Sequence, residues 1–257
     1  MFNPGGTYMT VACLIIATLA SVCWSLWIRR LTWRSSWERA ATINVALQGL
    51  AVILMSPFAS ATLGEWLHSL TGQYNLEDYV GHDCYIVAAS AAACNVIGRL
   101  KGAEVQQRAF KLWVETPATL AVPLLLAVFT LSQAGEENYP DFFTAPTTEL
   151  PWLRLYWLLL CVVLVWLLVY GSRATVKLLH DPRSRSIARV YLIASICGAA
   201  ACLSRAVTDL ATPGVQSHMI SSLSIWVLAS ACGIGFALTS AYSWQAKRRW
   251  FKAEPVS

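Results

Sequence analysis

Five ionisable residues stand in or beside stretches that are otherwise apolar, and they have the clearest capacity for chemistry. They are His82, Asp83, Arg154, Arg205 and Asp209. Arg205 and Asp209 lie four residues apart in the run CLSRAVTDLA, a spacing that places both side chains on one face of a helix. Opposite charges in this arrangement form an ion pair, and a long side chain near the end of a membrane span reaches outward to water. A local, water-reaching pair is the simplest interpretation.

The same residues support a second interpretation, in which groups from three segments meet. If the segments that hold Asp83, Arg154 and Arg205 lie side by side, these side chains and His82 come to similar depths. Ionisable groups inside a membrane are costly and commonly mark a functional site. We therefore predict an outward-facing polar vestibule in which Arg205 is coupled to Asp83. The alternative is that His82 and Asp83 simply begin a helix, whose first turn favours negative charge.

An uncharged polar set is predicted toward the other end of the same segments. Asn44 and Gln48 are four residues apart and share a helix face, and Asn95 comes at a similar depth. Hydrogen bonds between helices stabilise a membrane bundle by about 0.6 to 2 kcal/mol each. Interhelical bonding is therefore the expected role of this inner polar set, with a permeation path as the alternative.

The sequence has no pattern typical of catalysis or metal binding. Its four histidines are dispersed, and only His82-Asp83-Cys84 groups possible ligands locally. There is no phosphate-binding glycine loop, no H-E-x-x-H and no G-x-S-x-G. The eight cysteines occur singly, without a C-x-x-C pair, and are interpreted as buried thiols. We expect no catalytic residue, no metal and no cofactor.

The elements that position these residues are predicted to be membrane helices. Of the 257 residues, 56% are hydrophobic and 13% are charged, whereas about a quarter of a soluble domain is charged. Seven apolar runs approach the roughly 20 residues that a helix needs to cross about 30 Å of hydrocarbon. They cover residues 8–28, 40–62, 80–100, 116–134, 151–171, 190–211 and 219–243. We predict one all-α domain of seven transmembrane helices, followed by a short basic tail at 244–257.

The charges of the connecting segments predict how the bundle is oriented. Residues 29–39, 99–115, 172–189 and 244–257 together hold 17 of the 19 basic residues. Segments 63–79, 135–150 and 212–218 hold none, but they carry seven carboxylates. By the positive-inside rule the N-terminus is outside and the C-terminus is in the cytoplasm, as expected in the inner (cytoplasmic) membrane. The net charge of +5 reflects this topology and attraction to the lipid bilayer, so no nucleic-acid partner is expected.

Side-chain size predicts how the spans pack. Spans 80–100 and 190–211 are rich in Ala, Ser and Gly, which let helix backbones approach closely, and both are predicted to be central. Span 151–171 is bulky all round and is predicted to face lipid. The aromatic loop 135–150 is predicted to cap the outer membrane surface or the mouth of the bundle.

Residues 56–90, 141–160 and 180–200 resemble the seven-span integral membrane proteins of actinobacteria and their phages that are commonly labelled transporters. The resemblance rests on Pro57 at the outer end of span 2, a T-G-x-x-N-L-x-x-x-x-G-H stretch from Thr71 to His82, and a basic loop before span 6. It implies the seven-span fold but no established substrate. Many members continue into a cytosolic domain, whereas this sequence stops fourteen residues beyond Ser243. The difference implies dependence on a partner, or a short regulatory or phage-encoded form in a host cell membrane.

Three function classes follow, in order of preference. The first is a non-enzymatic membrane module that binds a protein or lipid partner, favoured by the small-residue helix faces and the basic tail AKRRWFK. The second is a small-solute transporter that uses the outward-facing polar vestibule. The third is an intramembrane enzyme, for which the sequence offers no nucleophile or metal set. The ligand, the partner and the oligomeric state do not follow from the sequence.

Overall fold

A computed structural model describes residues 4–32, 36–98, 103–211 and 219–253, and these residues form helices and loops without a strand. The described residues contain eight principal helices, which we number in chain order: α1 Pro4–Ile28, α2 Ser36–Leu54, α3 Pro57–Thr71, α4 Leu76–Ile97, α5 103–131, α6 Pro151–Leu178, α7 Arg185–Leu210 and α8 Met219–Ala253. Helix α3 has a π-helical stretch at Ser60–Gly64, and α5 has one at Lys111–Glu115.

The described helices have the length and hydropathy of a membrane protein. Six of them are long and apolar enough to cross a membrane. The bent pair α2 and α3 makes a seventh candidate if it is counted as one span. The all-helical class is therefore confirmed, with helices of the length and hydropathy that a membrane protein needs.

The second predicted span, at 40–62, is broken in the structure. Helix α2 ends at Leu54, and α3 starts at Pro57 with a bend of 59°. The cause is local, because proline lacks the N–H that would continue a helix. The Ser56 hydroxyl accepts a hydrogen bond from the Ala59 amide at 3.2 Å, which caps the new helix.

Five helices surround the centre of the bundle. Helix α2 packs on α4, α4 on α6, α6 on α7 and α7 on α8, and α8 returns to touch α2. Helix α1 lies against α8 and α2, while α5 packs on α6 and α4 from the other side. Helix α6 is thus one of the walls, with Leu153, Tyr156 and Trp157 almost fully buried. The lipid-facing position predicted for span 151–171 is therefore wrong, because a bulky apolar helix packs equally well against protein.

Small residues produce the close contacts that were predicted for α4 and α7. On α4, Ala88, Ala92 and Ala93 are buried. A Cβ atom added to Gly198 of α7 would stand 2.8 Å from the Cys232 sulfur, and one added to Gly235 of α8 would stand 2.7 Å from the Ala194 Cβ. Neither position has room for a side chain, so these glycines set the spacing of α7 and α8.

Several predicted boundaries also change. Helix α8 continues through Ala253, so most of the predicted tail 244–257 is helical. Residues 254–257, the loop 212–218 and parts of two basic connections, 33–35 and 99–102, lie outside the described residues.

At the end of the bundle that is predicted to lie outside, which we call the outer end, the loops are joined through Asn75, which belongs to the T-G-x-x-N-L stretch. Its amide nitrogen donates to the carbonyls of Ala134 at 2.6 Å and Glu137 at 2.8 Å, and its amide oxygen accepts from the Tyr139 N–H at 3.0 Å. Both Gly72 and Asn75 have positive φ, at 73° and 61°, a conformation that glycine and asparagine tolerate. The stretch therefore fixes residues 135–150, hereafter the cap loop, over the end of the bundle.

Candidate functional site

His82 lies in the second turn of α4 and is 2% exposed. Its Nδ1 shares a 2.7 Å hydrogen bond with the Tyr156 hydroxyl of α6, and its ring meets Trp157 edge-on with centroids 4.9 Å apart. The Tyr156 hydroxyl has no other acceptor within the described ranges. We therefore assign the hydroxyl as the donor, which leaves the proton of the neutral imidazole on Nε2.

Arg205 of α7 is 2% exposed and also contacts Trp157. Its guanidinium carbon is 4.2 Å from the centre of the Trp157 ring, a cation–π contact. Its Nη1 donates to the Phe143 carbonyl at 2.9 Å, and its Nη2 is 3.1 Å from the Asp209 carboxylate. The predicted local ion pair is present, but it does not reach water, because Asp209 is fully buried.

The cap loop is the reason that the ion pair is buried. Phe142 and Phe143 turn into the bundle, and the Thr147 hydroxyl donates to Asp209 at 3.1 Å. Asp141 accepts a short hydrogen bond from Ser222 of α8 and caps the 3₁₀ turn by accepting from the Phe143 N–H at 3.2 Å. Of the two predicted positions for this loop, the structure therefore selects the mouth of the bundle.

The remaining vestibule candidates, Asp83 and Arg154, lie apart from the Arg205 guanidinium. Asp83 is partly buried beside Tyr79. Within the described part of the chain, Arg205 forms an ion pair with Asp209 and with no other carboxylate. Arg154 is close enough for its charge to act on Asp209. The predicted coupling of Asp83 with Arg205 is not seen, because Asp83 faces another side of α4 from His82.

A cavity of about 110 Å³ lies between α2, α4, α6, α7 and α8. We call it the bundle chamber. His82, Trp157, Arg205 and Phe143 form its outer end, and apolar side chains such as Leu160, Leu168 and Ile225 form most of its wall. The predicted open polar vestibule is thus a covered chamber with one polar end.

The polar end of the bundle chamber holds hydrogen-bonding groups that the described residues leave unsatisfied. The buried nitrogens His82 Nε2, Trp157 Nε1 and Arg205 Nε have no hydrogen-bond partner among these residues. Native proteins pair nearly all of their buried polar groups, so unpaired ones need an explanation. The indole and guanidinium nitrogens can only donate, and the tautomer assigned above makes His82 Nε2 a donor as well. The side chains at this end of the chamber therefore carry several donors that lack acceptors.

The inner polar set lines the other end of the cavity system. Gln48 faces the bundle chamber and donates to Asn44 at 2.6 Å. Asn44 and Asn95 line a second cavity of about 50 Å³, which we call the inner cavity. Phe236 of α8 borders both cavities. Asn44, Gln48 and Asn95, which were predicted to lie at one depth, thus line the two cavities where these meet at Phe236.

A buried charge network at the inner end was not found from the sequence. Arg29 is fully buried; it donates to the Ser240 carbonyl at 2.9 Å and to the Thr42 hydroxyl at 3.3 Å, and its Nη2 contacts the Glu38 carboxylate at 2.7 Å. Lys247 also pairs with Glu38. The only available signal was that Glu38 is the one acidic residue among the basic residues of segment 29–39. The network joins α1, α2 and α8.

No group of three or more His, Cys, Asp or Glu residues suited to a metal ion occurs within the residues that the structure describes. His82-Asp83-Cys84, the local grouping noted in the sequence, does not converge, since His82 faces the bundle chamber while Asp83 lies beside Tyr79.

Comparison with known proteins gives no relative for this chain: no family model, no curated protein and no solved structure matches it. The resemblance to actinobacterial and phage membrane proteins therefore stays a prediction, and function has to be argued from the site itself.

Proposed function

We propose that this chain is a seven-span protein of the cytoplasmic membrane, N-terminus outside, that acts by binding a small lipid-soluble molecule in the bundle chamber. The bundle chamber is the observation that carries the proposal. Most ligand pockets are concave, largely apolar and equipped with a few polar groups that orient the ligand. The chamber has this composition, with apolar walls and the nitrogens of His82, Trp157 and Arg205 at one end.

The size of the bundle chamber limits what it can enclose. An apolar cavity of about 150 Å³ holds one benzene molecule. At about 110 Å³, the chamber is smaller and by the same ratio accommodates roughly four or five non-hydrogen atoms. The bound molecule is therefore small, or is a larger lipid of which only one end enters.

Binding is favoured over catalysis because of the groups that meet in the bundle chamber. His82 is held by Tyr156, and Arg205 is held by Asp209 and the Phe143 carbonyl. These contacts fix donors in place, as a recognition site needs, and the Tyr156 hydroxyl, which could act as a nucleophile toward His82 as base, does not line the chamber. A protein partner on the basic side, predicted to be cytoplasmic, is compatible with this function, since the residues that line the chamber lie outside the basic connections.

Filling the bundle chamber tests the proposal. Ala229 of α8 lines the chamber, whereas Ala231, two residues away, is exposed on the outside of the helix. Native mass spectrometry of the protein extracted in mild detergent should detect a bound small molecule in wild type and in Ala231→Phe, but not in Ala229→Phe. Equal occupancy in all three proteins would contradict a chamber site.

Transport is the second candidate function, and one observation favours it. The bundle chamber and the inner cavity share Phe236, and the Gln48–Asn44 hydrogen bond connects their linings. Phe236 packs edge-on against Tyr191 with centroids 5.0 Å apart, so two aromatic rings separate the cavities. The two cavities then form the outer and inner parts of one path, closed at Phe236.

Flux assays separate transport from binding. In reconstituted vesicles, Phe236→Ala should increase solute leakage if the cavities form one path, while Tyr242→Ala, on the exposed side of the same helix, serves as the matched control. A protein that retains a bound molecule but shows no flux in wild type or in Phe236→Ala is a binding protein rather than a transporter.

A further inference from the structure

The unsatisfied groups of the bundle chamber specify the chemistry of its occupant. His82 Nε2, Trp157 Nε1 and Arg205 Nε are buried, lack partners among the described residues and belong to side chains that line one end of the cavity. Leaving a buried donor without an acceptor costs about 1 to 3 kcal/mol, and more for a charged one. A bound molecule removes this cost only if it brings acceptor atoms. An amine, which brings donors, would leave the cost in place.

Arg205 is the only charged side chain that lines the bundle chamber within the described residues, and no carboxylate lines it. Its partner Asp209 lies outside the lining, fully buried and held by Thr147. A negatively charged ligand in the chamber would therefore contact a cation and meet no like charge in the wall. A positively charged ligand would contact Arg205 and find no carboxylate in the wall.

We propose that the bundle chamber binds a monocarboxylate, with the carboxylate at Arg205, Trp157 and His82 and the apolar body between α4, α6, α7 and α8. This proposal rests on the proposed function and adds the ligand class. A carboxylate has two oxygens and accepts several hydrogen bonds, which suits an end of the chamber whose side chains carry three unpaired donors. Butyrate, with six non-hydrogen atoms, is at the upper limit of the size that the chamber encloses. A fatty acid whose first carbons enter the chamber is the second source of the same chemistry.

The chain supplies its own reporters of occupancy. Cys161, Cys202 and Cys232 line the bundle chamber, whereas Cys13 and Cys23 are exposed on the outside of α1. A ligand in the chamber should slow alkylation of Cys202 by a membrane-permeant maleimide and leave Cys13 and Cys23 unaffected. The comparison is made within one protein, so it needs no engineered thiol.

The test uses the full chain in lipid nanodiscs with four probes: butyrate, butyramide, butylamine and palmitate. Dissociation constants come from saturation-transfer nuclear magnetic resonance, and protection of Cys202 locates the site. Butyrate, palmitate or both should bind and protect Cys202, and butylamine should bind at least about tenfold more weakly, because charge-assisted hydrogen bonds to the carboxylate are lost. Binding of butyrate alone would assign a free acid as the source, and binding of palmitate alone would assign a lipid.

A pair of matched tryptophan variants tests the donor groups. Trp157→Phe removes the indole N–H and keeps an aromatic ring, and Trp226→Phe makes the same change at a buried tryptophan that does not line the bundle chamber. Carboxylate affinity should fall about tenfold in Trp157→Phe and remain unchanged in Trp226→Phe. Should Trp157→Phe fail to fold, the series of four probes on the unaltered protein decides alone.

Two failures are distinguishable. If butyramide or butylamine binds as well as the acids and protects Cys202, the carboxylate assignment is overturned and the chamber remains a binding site. If no probe protects Cys202 and Ala229→Phe has no effect on retained molecules, the proposed function itself fails.

Discussion

At the scale of single residues, the Arg205 guanidinium depends on its partners because it is buried. One aromatic face, one carbonyl and one carboxylate surround it, from Trp157, Phe143 and Asp209. Removing one partner from a buried ion pair costs about 3 to 5 kcal/mol, because the other charge stays desolvated. The stability of the outer end of the bundle therefore depends on Asp209.

Asp209→Asn should destabilise the protein by about 3 to 5 kcal/mol, since it leaves Arg205 without its buried carboxylate. Asp83→Asn is the matched control: Asp83 is a partly buried carboxylate near the same end of the bundle, but it is not paired with Arg205. Reversible unfolding in detergent measures both changes. A double-mutant cycle with Arg205→Leu should give a large coupling for Asp209 and a coupling near zero for Asp83. A cost for Asp83→Asn as large as that for Asp209→Asn would show that the pairing described above is wrong.

Asp141 should make the stability of the folded protein depend on pH. Desolvation by burial raises the pKa of its carboxyl above the ordinary value of 3.8, despite the opposing hydrogen bond from Ser222. The folded state therefore holds the proton more tightly than the unfolded state does, and the resulting stabilisation is lost as the pH rises from about 4 through the raised pKa. Asp141→Asn should flatten this part of the stability curve, as measured by thermal unfolding across a pH series. An unchanged slope would contradict the raised pKa.

The site was only partly predictable from its residues. The Arg205–Asp209 pair follows from a spacing of four, which is local information. The contacts of Arg205 with Phe143 and Trp157 span 62 and 48 residues of sequence, and no periodicity in the sequence encodes them. Asp83 was misassigned because adjacent residues on a helix point about 100° apart, so His82 and Asp83 do not share a face.

At the scale of the elements, helix α3 has an unusual surface for a segment outside the main bundle. Phe58, Trp66 and Leu70 are exposed to 75%, 58% and 63%, and α3 bends 59° away from α2. Aromatic and aliphatic side chains of this kind lie at the boundary between headgroups and hydrocarbon. We therefore expect α3 to lie along the interface on the predicted outer side, where the bend ends the predicted span.

Spin labels should report this position of α3. In a background without native cysteines, nitroxides at Phe58, Trp66 and Leu70 should be more accessible to oxygen, which dissolves in lipid, than to a water-soluble nickel complex. A label at Gln73, in the loop after α3, should show the reverse. Equal nickel accessibility at Trp66 and Gln73 would place α3 in water and contradict an interfacial helix.

The positions of the helices in the sequence were more predictable than the way in which the helices pack against one another. The lengths of apolar runs located most of the helices, because the thickness of the hydrocarbon sets a minimum length. Hydropathy did not indicate which helices are central, since lipid tails and a protein core are equally apolar. For this reason the sequence around Tyr156 and Trp157 in α6 was interpreted as lipid-facing, although both side chains are buried in the bundle. Small residues were the better guide, and they correctly placed α4 and α7 at the centre.

At the scale of the whole molecule, the two ends of the bundle differ in charge. The described outer segments carry carboxylates and lack Lys and Arg, and the inner connections carry the basic residues. Single cysteines at Gln73 and Glu137 should therefore react with a membrane-impermeant thiol reagent in intact cells, in a background without native thiols. Cysteines at Ser36, Gln106 and Ser184 should react only after lysis. The opposite labelling pattern would reverse the proposed orientation.

The buried Arg29, directly after α1, has a consequence for the synthesis of the protein. One of its hydrogen bonds is to the Ser240 carbonyl, 211 residues further along the chain. At a translation rate of about 5 to 20 residues per second, roughly 10 to 40 s pass before that acceptor exists. During this interval Arg29 can contact Glu38 and Thr42, which follow within 13 residues, but α8 is not yet made. A ribosome stalled before residue 240 should therefore hold a nascent chain in which α1 has not packed on α8, and this packing becomes one of the last steps of assembly.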